Sequence, residues 1–276
     1  MIATELWDVR TEEYHADRDH ESHHRLKLFR QSIPKYKDAY VDYEETPKAT
    51  APMEFGTAFH TFVLEPEKFE DVVAVAPDVD RRTKAGKAEH EEFLLGSEGK
   101  MWLKASEAKM IGDMAQSVTH NPAAKELLYQ PGKVEQGAHC VHEETGIWIK
   151  CLCDKLLENG TIVELKSSSD PAPGGFSRAA TNFEYHCQAA LYKHIIAQVF
   201  GMHVQHIIIA VGTVPPHWCY VYELDEESVE LGAKKNDEAL AELKDCRELD
   251  LWEERFTGRV NQLSMPRYAF SRSVAY

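Results

Sequence analysis

Apolar residues in the first half of the chain recur every three or four positions, which is the spacing of amphipathic helices. Predicted helices lie at residues 22–40, 53–64, 88–95, 106–118 and 121–129. Ser22 is a suitable N-cap for the first of these helices, and Pro66 ends the second because proline cannot continue a helix. Residues 77–86, before the third helix, are expected to form a basic loop.

The second half of the chain alternates between strand and helix patterns. Predicted strands lie at residues 134–142, 146–157, 161–166, 204–211 and 218–223, after an earlier short strand at 72–76. Helix patterns cover residues 183–200 and 226–247, and residues 167–175, rich in Ser, Pro and Gly, are expected to be a loop. This order predicts a single α/β domain over residues 1–276, with a mixed β-sheet flanked by helices. Its core is expected at about residues 22–223, followed by an acidic helical segment at 224–256.

The formal net charge of the chain is −15, from 31 basic and 46 acidic residues. Taken alone, this charge argues against binding to nucleic acid, whose phosphates require Lys and Arg. However, the charge is unevenly distributed. Residues 223–255 contain 13 acidic and 5 basic residues and so hold −8 of the net charge. Basic residues cluster at 25–37 and in RRTKAGK, residues 81–87. An acidic protein can still present a basic channel to DNA, although two solvated basic segments explain the pattern equally well.

The cysteine pattern and the absence of long apolar runs indicate the compartment. Six cysteines without any C-x-x-C spacing, in a chain of 276 residues, predict reduced and packed thiols rather than disulfides, zinc or an iron–sulfur cluster. No apolar run approaches the about 20 residues of a membrane-spanning helix, and the charged N-terminus does not match a signal peptide. We therefore expect a cytoplasmic protein that does not contact a membrane.

A predicted β-hairpin carries the clearest candidate chemistry, in CDKLLENGTIVELKSSSD at residues 153–170. Two registers are open. A two-residue turn at Asn159-Gly160 would place Asp154 opposite Leu165 and turn Glu164 to the other face. A three-residue loop with Gly160 in the left-handed conformation, or a bulge, would instead place Asp154 opposite Glu164.

In the second register Lys166 follows on the same face as the two carboxylates. Like charges opposite each other across two strands are destabilising, and a divalent cation would reverse that effect. Two carboxylates with open coordination positions suit Mg²⁺, Mn²⁺ accepts the same ligands, and a neighbouring lysine can stabilise phosphate charge. The arrangement predicts metal-assisted phosphodiester hydrolysis, and the alternative is an ordinary surface hairpin with a Glu–Lys pair.

The motifs around this hairpin resemble those of the PD-(D/E)xK nucleases. The pattern D-x9-E-L-K is followed by the predicted helix NFEYHCQAALYKH, whose Gln188 and Tyr192 match the Q-x-x-x-Y motif of RecB-like nucleases. Upstream, Gly56 and His60 in FGTAFHTFVLEPEKF resemble the G-x-x-x-H helix of RecE-type exonucleases (exonuclease VIII), and RRTKAGK is similar to a segment of RecE-like phage proteins. The resemblance covers roughly residues 22–223. It departs at Lys150, where RecE-like sequences often carry Arg. Lysine keeps the positive charge but lacks the planar guanidinium that binds a phosphate with two parallel hydrogen bonds.

The resemblance assigns a role to each matching residue. It implies that one or two Mg²⁺ ions are held by His60, Asp154, Glu164 and the backbone carbonyl of Leu165, with Glu135 on the preceding strand as a further acidic residue. Lys166 would position the attacking water and stabilise the developing charge. Gln188 and Tyr192 would support the site or touch the DNA, and the alternative for them is an ordinary packed helix face.

The resemblance also implies a recombination exonuclease of phages and prophages. Such enzymes act as trimeric or tetrameric rings on the ends of linear duplex DNA, digest the strand that ends 5′ and leave a 3′ overhang for a single-strand annealing protein. Candidate DNA contacts are Ser22, Arg25 and Arg30 as a 5′-phosphate pocket, with Arg81, Arg82, Lys84 and Lys150 as further contacts. Two alternatives remain open, a RecB-like DNA-repair or defence endonuclease and a non-catalytic member of the fold that binds DNA or protein.

Overall fold

A computed structural model describes residues 5–9, 11–43, 50–255, 257–265 and 270. Its strands are β1 (Glu5–Trp7), β2 (Val73–Ala76), β3 (Met101–Lys104), β4 (Gly132–Val141), β5 (Trp148–Leu157), β6 (Ile162–Ser168), β7 (His206–Gly212) and β8 (Cys219–Glu223). Its α-helices are α1 (Thr11–Ala16), α2 (His23–Gln31), α3 (Ile33–Tyr40), α4 (Ala51–Leu64), α5 (Phe69–Val72), α6 (Lys84–Gly96), α7 (Ala105–His120), α8 (Pro122–Tyr129), α9 (Pro173–Phe183), α10 (Tyr185–Phe200) and α11 (Glu226–Leu249).

The central sheet has six strands in the order β1-β4-β5-β6-β7-β8. β6 and β7 run parallel, joined by a crossover through α9 and α10, and the other neighbours in this sheet are antiparallel. β2 and β3 form a separate parallel pair. The predicted α/β domain with a mixed sheet flanked by helices is therefore confirmed.

Two hydrophobic clusters cover the two faces of the sheet and place the hairpin β5–β6 between them. One contains Leu26, Ile195 and Leu243, from α2, α10 and α11, packed on Ile162 of β6. The other contains residues of α4, α7 and α8 packed on Leu165 of the same strand. Side chains alternate between the faces of a strand, so β6 contributes to both layers and its polar residues lie between two packed groups of helices.

The predicted helix 22–40 is two helices, α2 and α3. Ser22 caps α2 as predicted, and its hydroxyl accepts the backbone N–H of Arg25. Ser32 then adopts an extended conformation between the helices, with φ −164°. Pro34 in the first turn of α3 explains the break, because a proline within a continuous helix would remove a hydrogen bond and clash with the preceding turn.

Several short elements were not predicted. β1 and α1 lie ahead of the predicted core, β3 pairs with β2, and α9 begins at Pro173, inside the predicted loop 167–175, and covers residues 176–182, which had no predicted element. The buried Phe176 of α9 packs against Ile208 and Ala210 of β7. This contact favours a helix despite the Pro and Gly content of the segment.

The interior of the fold holds most of the cysteines and some of the histidines. All six cysteines are free, and five of them are buried, as predicted. Four histidines are also buried: His142, His186, His206 and His217. Across the described ranges, no helix combines the length and the apolarity needed to cross a membrane.

Candidate active site

The β5–β6 hairpin turns through the three-residue loop 158–160. The backbone N–H of Leu157 donates to the carbonyl of Thr161 at 2.9 Å, and Gly160 has a left-handed φ of 85°. A left-handed residue is accessible to glycine at little cost. The chain therefore adopts the register that brings the two hairpin carboxylates opposite each other.

The paired ladder of the hairpin ends beside Asp154, where side chains replace backbone partners. The last ladder pair is Lys155 with Val163. Beyond it, the N–H of Leu165 donates to Oδ2 of Asp154 at 2.7 Å, and the N–H of Asp154 donates to Oε1 of Glu164 at 3.4 Å. Each carboxylate thus binds the backbone of the opposite strand. The carbonyl of Leu165 points to the same edge of β6 as its N–H, toward Asp154.

Glu164 is the most enclosed member of the site, with 1% of its surface exposed. Its Oε2 accepts hydrogen bonds from Nζ of Lys166 at 2.8 Å and from Nε2 of Gln188 at 3.0 Å. Gln188 is on α10, so this helix reaches the hairpin through the first residue of the Q-x-x-x-Y pattern. Tyr192, one turn later, is buried and lies in ring contact with His206 of β7.

His60 approaches from the opposite layer, on α4. This helix begins after Thr50 and ends at Leu64 before Pro66. Nδ1 of His60 lies 3.4 Å from Oδ1 of Asp154. The structure therefore brings together five predicted site residues from four elements of the chain, α4, β5, β6 and α10: His60, Asp154, Glu164, Lys166 and Gln188.

The charges of the site depend on one another. Burial acts to lower the pKa of Lys166, but Glu164 and Asp154 outweigh it and hold that pKa above its ordinary value. Lys166 is therefore a cation at neutral pH. Burial and the neighbouring Asp154 raise the pKa of Glu164. Burial also acts to raise the pKa of Asp154, but His60 and Lys166 lower it, so Asp154 is the carboxylate that ionises first.

Glu135 of β4 lies between Val134 and Gln136, which pair with Lys155 and Cys153 on either side of Asp154. It has a left-handed φ of 51°, uncommon for a residue other than glycine. Its carboxylate accepts a hydrogen bond from the hydroxyl of Thr11 at the start of α1. The residue is thus next to the site along the sheet, and its participation in metal binding stays a prediction.

The predicted 5′-phosphate pocket is not formed by Ser22 and Arg25. The hydroxyl of Ser22 caps α2. Arg25 is 5% exposed and donates to the backbone carbonyls of Asp17 and Arg18. Because the guanidinium is directed to the interior, we remove Arg25 from the DNA interface.

Arg30 and Lys150 are also committed to internal contacts. Arg30 donates twice to Oε2 of Glu184, at 2.7 and 3.0 Å. Nζ of Lys150, with 2% of the residue exposed, donates to the carbonyl of Tyr14 at 2.5 Å and to Oδ2 of Asp17 at 2.8 Å. Neither side chain is free to bind phosphate in this arrangement. By contrast, the predicted contacts at the start of α6 are exposed: Arg81, Arg82 and Lys84.

The donor atoms of the site fit a divalent cation. Asp154, Glu164, the carbonyl of Leu165 and the imidazole of His60 supply the oxygen-rich set that Mg²⁺ or Mn²⁺ accepts. A cation would also remove the repulsion between the buried Glu164 and the half-buried Asp154. No preassembled group of three or more metal-binding side chains occurs in the described part of the chain.

Sequence reasoning missed an aromatic neighbour of Lys166. Nζ of Lys166 lies 5.4 Å from the ring centroid of Tyr185. Tyr185 begins α10 three residues before Gln188, so the two share one helix face. That spacing is visible in NFEYHCQAALYKH and was the available signal.

Comparisons with known proteins agree with this geometry. A family model described as "PDDEXK-like domain of unknown function (DUF3799)" matches residues 22–264. A crystal structure described as a "putative exonuclease" from Eubacterium rectale superimposes with a TM-score of 0.64 at 11% sequence identity, over 97% of this chain and 100% of that chain. At this identity the likeness shows the fold alone. No curated protein matches the sequence. The match to the family model spans most of the chain, and the protein therefore belongs to the PDDEXK-like family DUF3799.

Proposed function

We propose that the protein is a Mg²⁺-dependent exodeoxyribonuclease that degrades linear duplex DNA from the 5′ end and leaves a 3′ single-stranded overhang for homologous recombination. The observation that carries the proposal is the pairing of Asp154 with Glu164 across the hairpin, with Lys166 bound to Glu164 at 2.8 Å. Family membership supports the nuclease class. The polarity and the RecE-like specificity rest on the resemblance of the sequence motifs.

The residues of the site have distinct tasks in this reaction. A bound divalent cation would polarise the scissile phosphate as a Lewis acid, held by Asp154, Glu164, His60 and the carbonyl of Leu165. Lys166, a cation at neutral pH, cannot take a proton from water and instead orients the water and stabilises the added negative charge on phosphorus. Gln188 fixes Glu164 through its hydrogen bond of 3.0 Å.

The setting of the enzyme is part of the same proposal. A homotrimeric or homotetrameric ring would place the exposed basic residues at the start of α6 around DNA and the acidic α11 outside it. A single-strand annealing protein encoded by the same phage or prophage would coat the overhang in the bacterial cytoplasm. The mass of the particle in solution, measured by light scattering, tests the ring directly, and a monomer with full activity would contradict it.

The experiment uses linear duplex DNA labelled at the 5′ end of one strand or at its 3′ end, with nicked and closed circles beside it. We expect early release of the 5′ label in Mg²⁺, progressive shortening from that end, and intact closed circles. Lys166→Ala should abolish the reaction. The matched control is Lys155→Met, because Lys155 is also a buried lysine of the hairpin but its Nζ donates to the carbonyls of Leu128 and Gln130.

Each other outcome selects another function. Cleavage of closed circles would replace the exonuclease with an endonuclease at the same site. Early release of the 3′ label would reverse the polarity. DNA that survives in both Mg²⁺ and Mn²⁺ while the protein binds it would indicate a non-catalytic member of the fold. Equal loss of activity in the Lys166 and Lys155 variants would trace the defect to folding instead of chemistry.

A further inference from the structure

Two stacked aromatic rings lead from the catalytic lysine to the surface. The ring of Tyr185 lies 5.4 Å from Nζ of Lys166. The ring of Phe183 stacks on Tyr185, with centroids 5.8 Å apart and an interplanar angle of 20°. Phe183 is 53% exposed. The outer ring of this pair is therefore accessible from the solvent, and one ring separates it from Lys166.

A second cation lies over the exposed ring. Nζ of Lys27, on α2, is 5.2 Å from the ring centroid of Phe183. Single exposed apolar residues are common and need no explanation, but this one has Lys27 over its ring and stacks on Tyr185, whose own ring has Lys166 as a neighbour. The surface combines an aromatic face with two positive charges.

The junction that presents Phe183 is held in place. Glu184 has a left-handed φ of 58° and separates α9 from α10. Its carboxylate pairs with Arg30 at 2.7 Å, and Arg30 also donates to Asn236 of α11. The ring of Tyr185 is backed by the buried Phe176 at 5.9 Å. A preorganised ring costs less ordering entropy when it binds a partner.

The chemistry of this surface matches an unpaired nucleotide. Phosphates are attracted by the lysines, and a base offers a flat π-face for stacking on an aromatic side chain. In a duplex each base is covered by its neighbours, so an open base face is found in single strands and at frayed ends. A folded protein partner would not require a ring next to the lysine of the hydrolytic site.

We propose that Phe183 stacks on an unpaired base of the strand that enters the active site, so that the substrate at the catalytic centre is single-stranded or frayed DNA. This inference rests on the proposed nuclease function. Phe183 acts as a positioning residue: it fixes the nucleotide next to the phosphate that Lys166 serves. A duplex end would then open by one or more base pairs before cleavage.

The first test measures binding of a single-stranded oligonucleotide in Ca²⁺, together with the quenching of 2-aminopurine placed at successive positions. Phe183→Ala should weaken binding by about 5-fold to 150-fold, the range of base–aromatic stacking, and should abolish quenching at one position. Phe183→Trp should restore both. Tyr129→Ala is the matched control, because Tyr129 is exposed, carries Lys125 over its ring at 5.8 Å, and belongs to α8 on the other layer of the sheet.

A second test replaces one base at a time with an abasic site. At one position, the abasic site should weaken binding to the wild type by the same factor as Phe183→Ala does. The same abasic site should have no further effect on binding to the Phe183→Ala variant. Binding by Phe183→Ala equal to the wild type, or losses that add at every position, would overturn the inference. Hydrolysis distinguishes the two proposals. If the wild type cleaves DNA and Phe183→Ala changes neither binding nor cleavage, the stacking alone is refuted. A wild type that stacks the base but never cleaves refutes the nuclease alone.

Discussion

A buried histidine under α10 gives a quantitative prediction about acid stability. His206 of β7 is 3% exposed, and both of its ring nitrogens are buried without a hydrogen-bond partner among the described residues. Its ring contacts Tyr192 at 6.2 Å. Burial, followed by the positive charges of Lys166 and Lys193, lowers the pKa of His206 to about 3.

The pKa sets both the sign and the size of the effect. In the unfolded chain a histidine has a pKa near 6.5, so below that pH the unfolded state binds a proton that the native state refuses. Stability is therefore lost as the pH falls from about 6.5 to 3. Each pKa unit corresponds to about 1.4 kcal/mol, so the whole difference amounts to about 5 kcal/mol. Between pH 7 and pH 4 the loss from this group comes to about 3 kcal/mol.

His206→Phe removes this titration while keeping an aromatic ring beside Tyr192. Urea unfolding of the wild type and the variant at pH 7, 6, 5 and 4 measures the difference in free energy. We expect similar stability at pH 7, because replacing an unpaired buried polar group by an apolar one is close to neutral. The variant should gain about 3 kcal/mol on the wild type by pH 4. His203→Phe, at an exposed histidine, is the control, and a difference that does not change with pH would refute the reasoning.

Three further predictions test the roles of single residues. Gly56→Ala should raise the free energy of unfolding by about 1 kcal/mol, because alanine favours a helix more than glycine does and its Cβ would meet nothing within 4 Å. Thermal unfolding measures this gain. A drop in DNA cleavage by the same variant would show that DNA approaches α4 at this position. Gly160→Ala should cost about 1–3 kcal/mol, because φ is positive and the new Cβ would lie 3.1 Å from Val204. An unchanged urea midpoint would contradict the left-handed conformation of Gly160. Lys150→Met should destabilise the fold by about 3 kcal/mol, since it leaves Asp17 without its ion-pair partner. The variant should leave the salt dependence of DNA binding unchanged. A shallower slope of affinity against salt would return Lys150 to the DNA interface.

The sequence could indicate the register of the hairpin because the residues that set it are local. Asp154 and Glu164 are ten residues apart, and the choice between the two registers depended on whether the turn used two residues or three. His60 comes from a distant helix on the other layer of the sheet, and only the motif resemblance pointed to it. Periodicity and composition cannot show that two such segments meet.

The predictions that failed depended on long-range contacts. Arg25 and Lys150 look like surface cations in the sequence, but both bind residues 14–18 at the end of α1. α1 has six residues, TEEYHA, too few to show a helical period. Phe183 was the first residue of a predicted helix, but it is the last residue of α9, and the left-handed Glu184 that follows it is not indicated by the local pattern.

The most direct test of the metal-dependent hairpin site is the single-turnover rate of phosphodiester cleavage in Mg²⁺, measured for the wild type and Glu164→Gln. Glutamine keeps the size of the side chain and its contact with Gln188, but it removes the charge that would hold the cation and pair with Lys166. We expect cleavage by the wild type that EDTA abolishes and Mn²⁺ restores. The variant should lose at least about 100-fold in rate while its thermal stability stays the same or rises. Wild-type cleavage that persists in EDTA, or a Glu164→Gln variant that cleaves at the wild-type rate, would contradict the metal-dependent site.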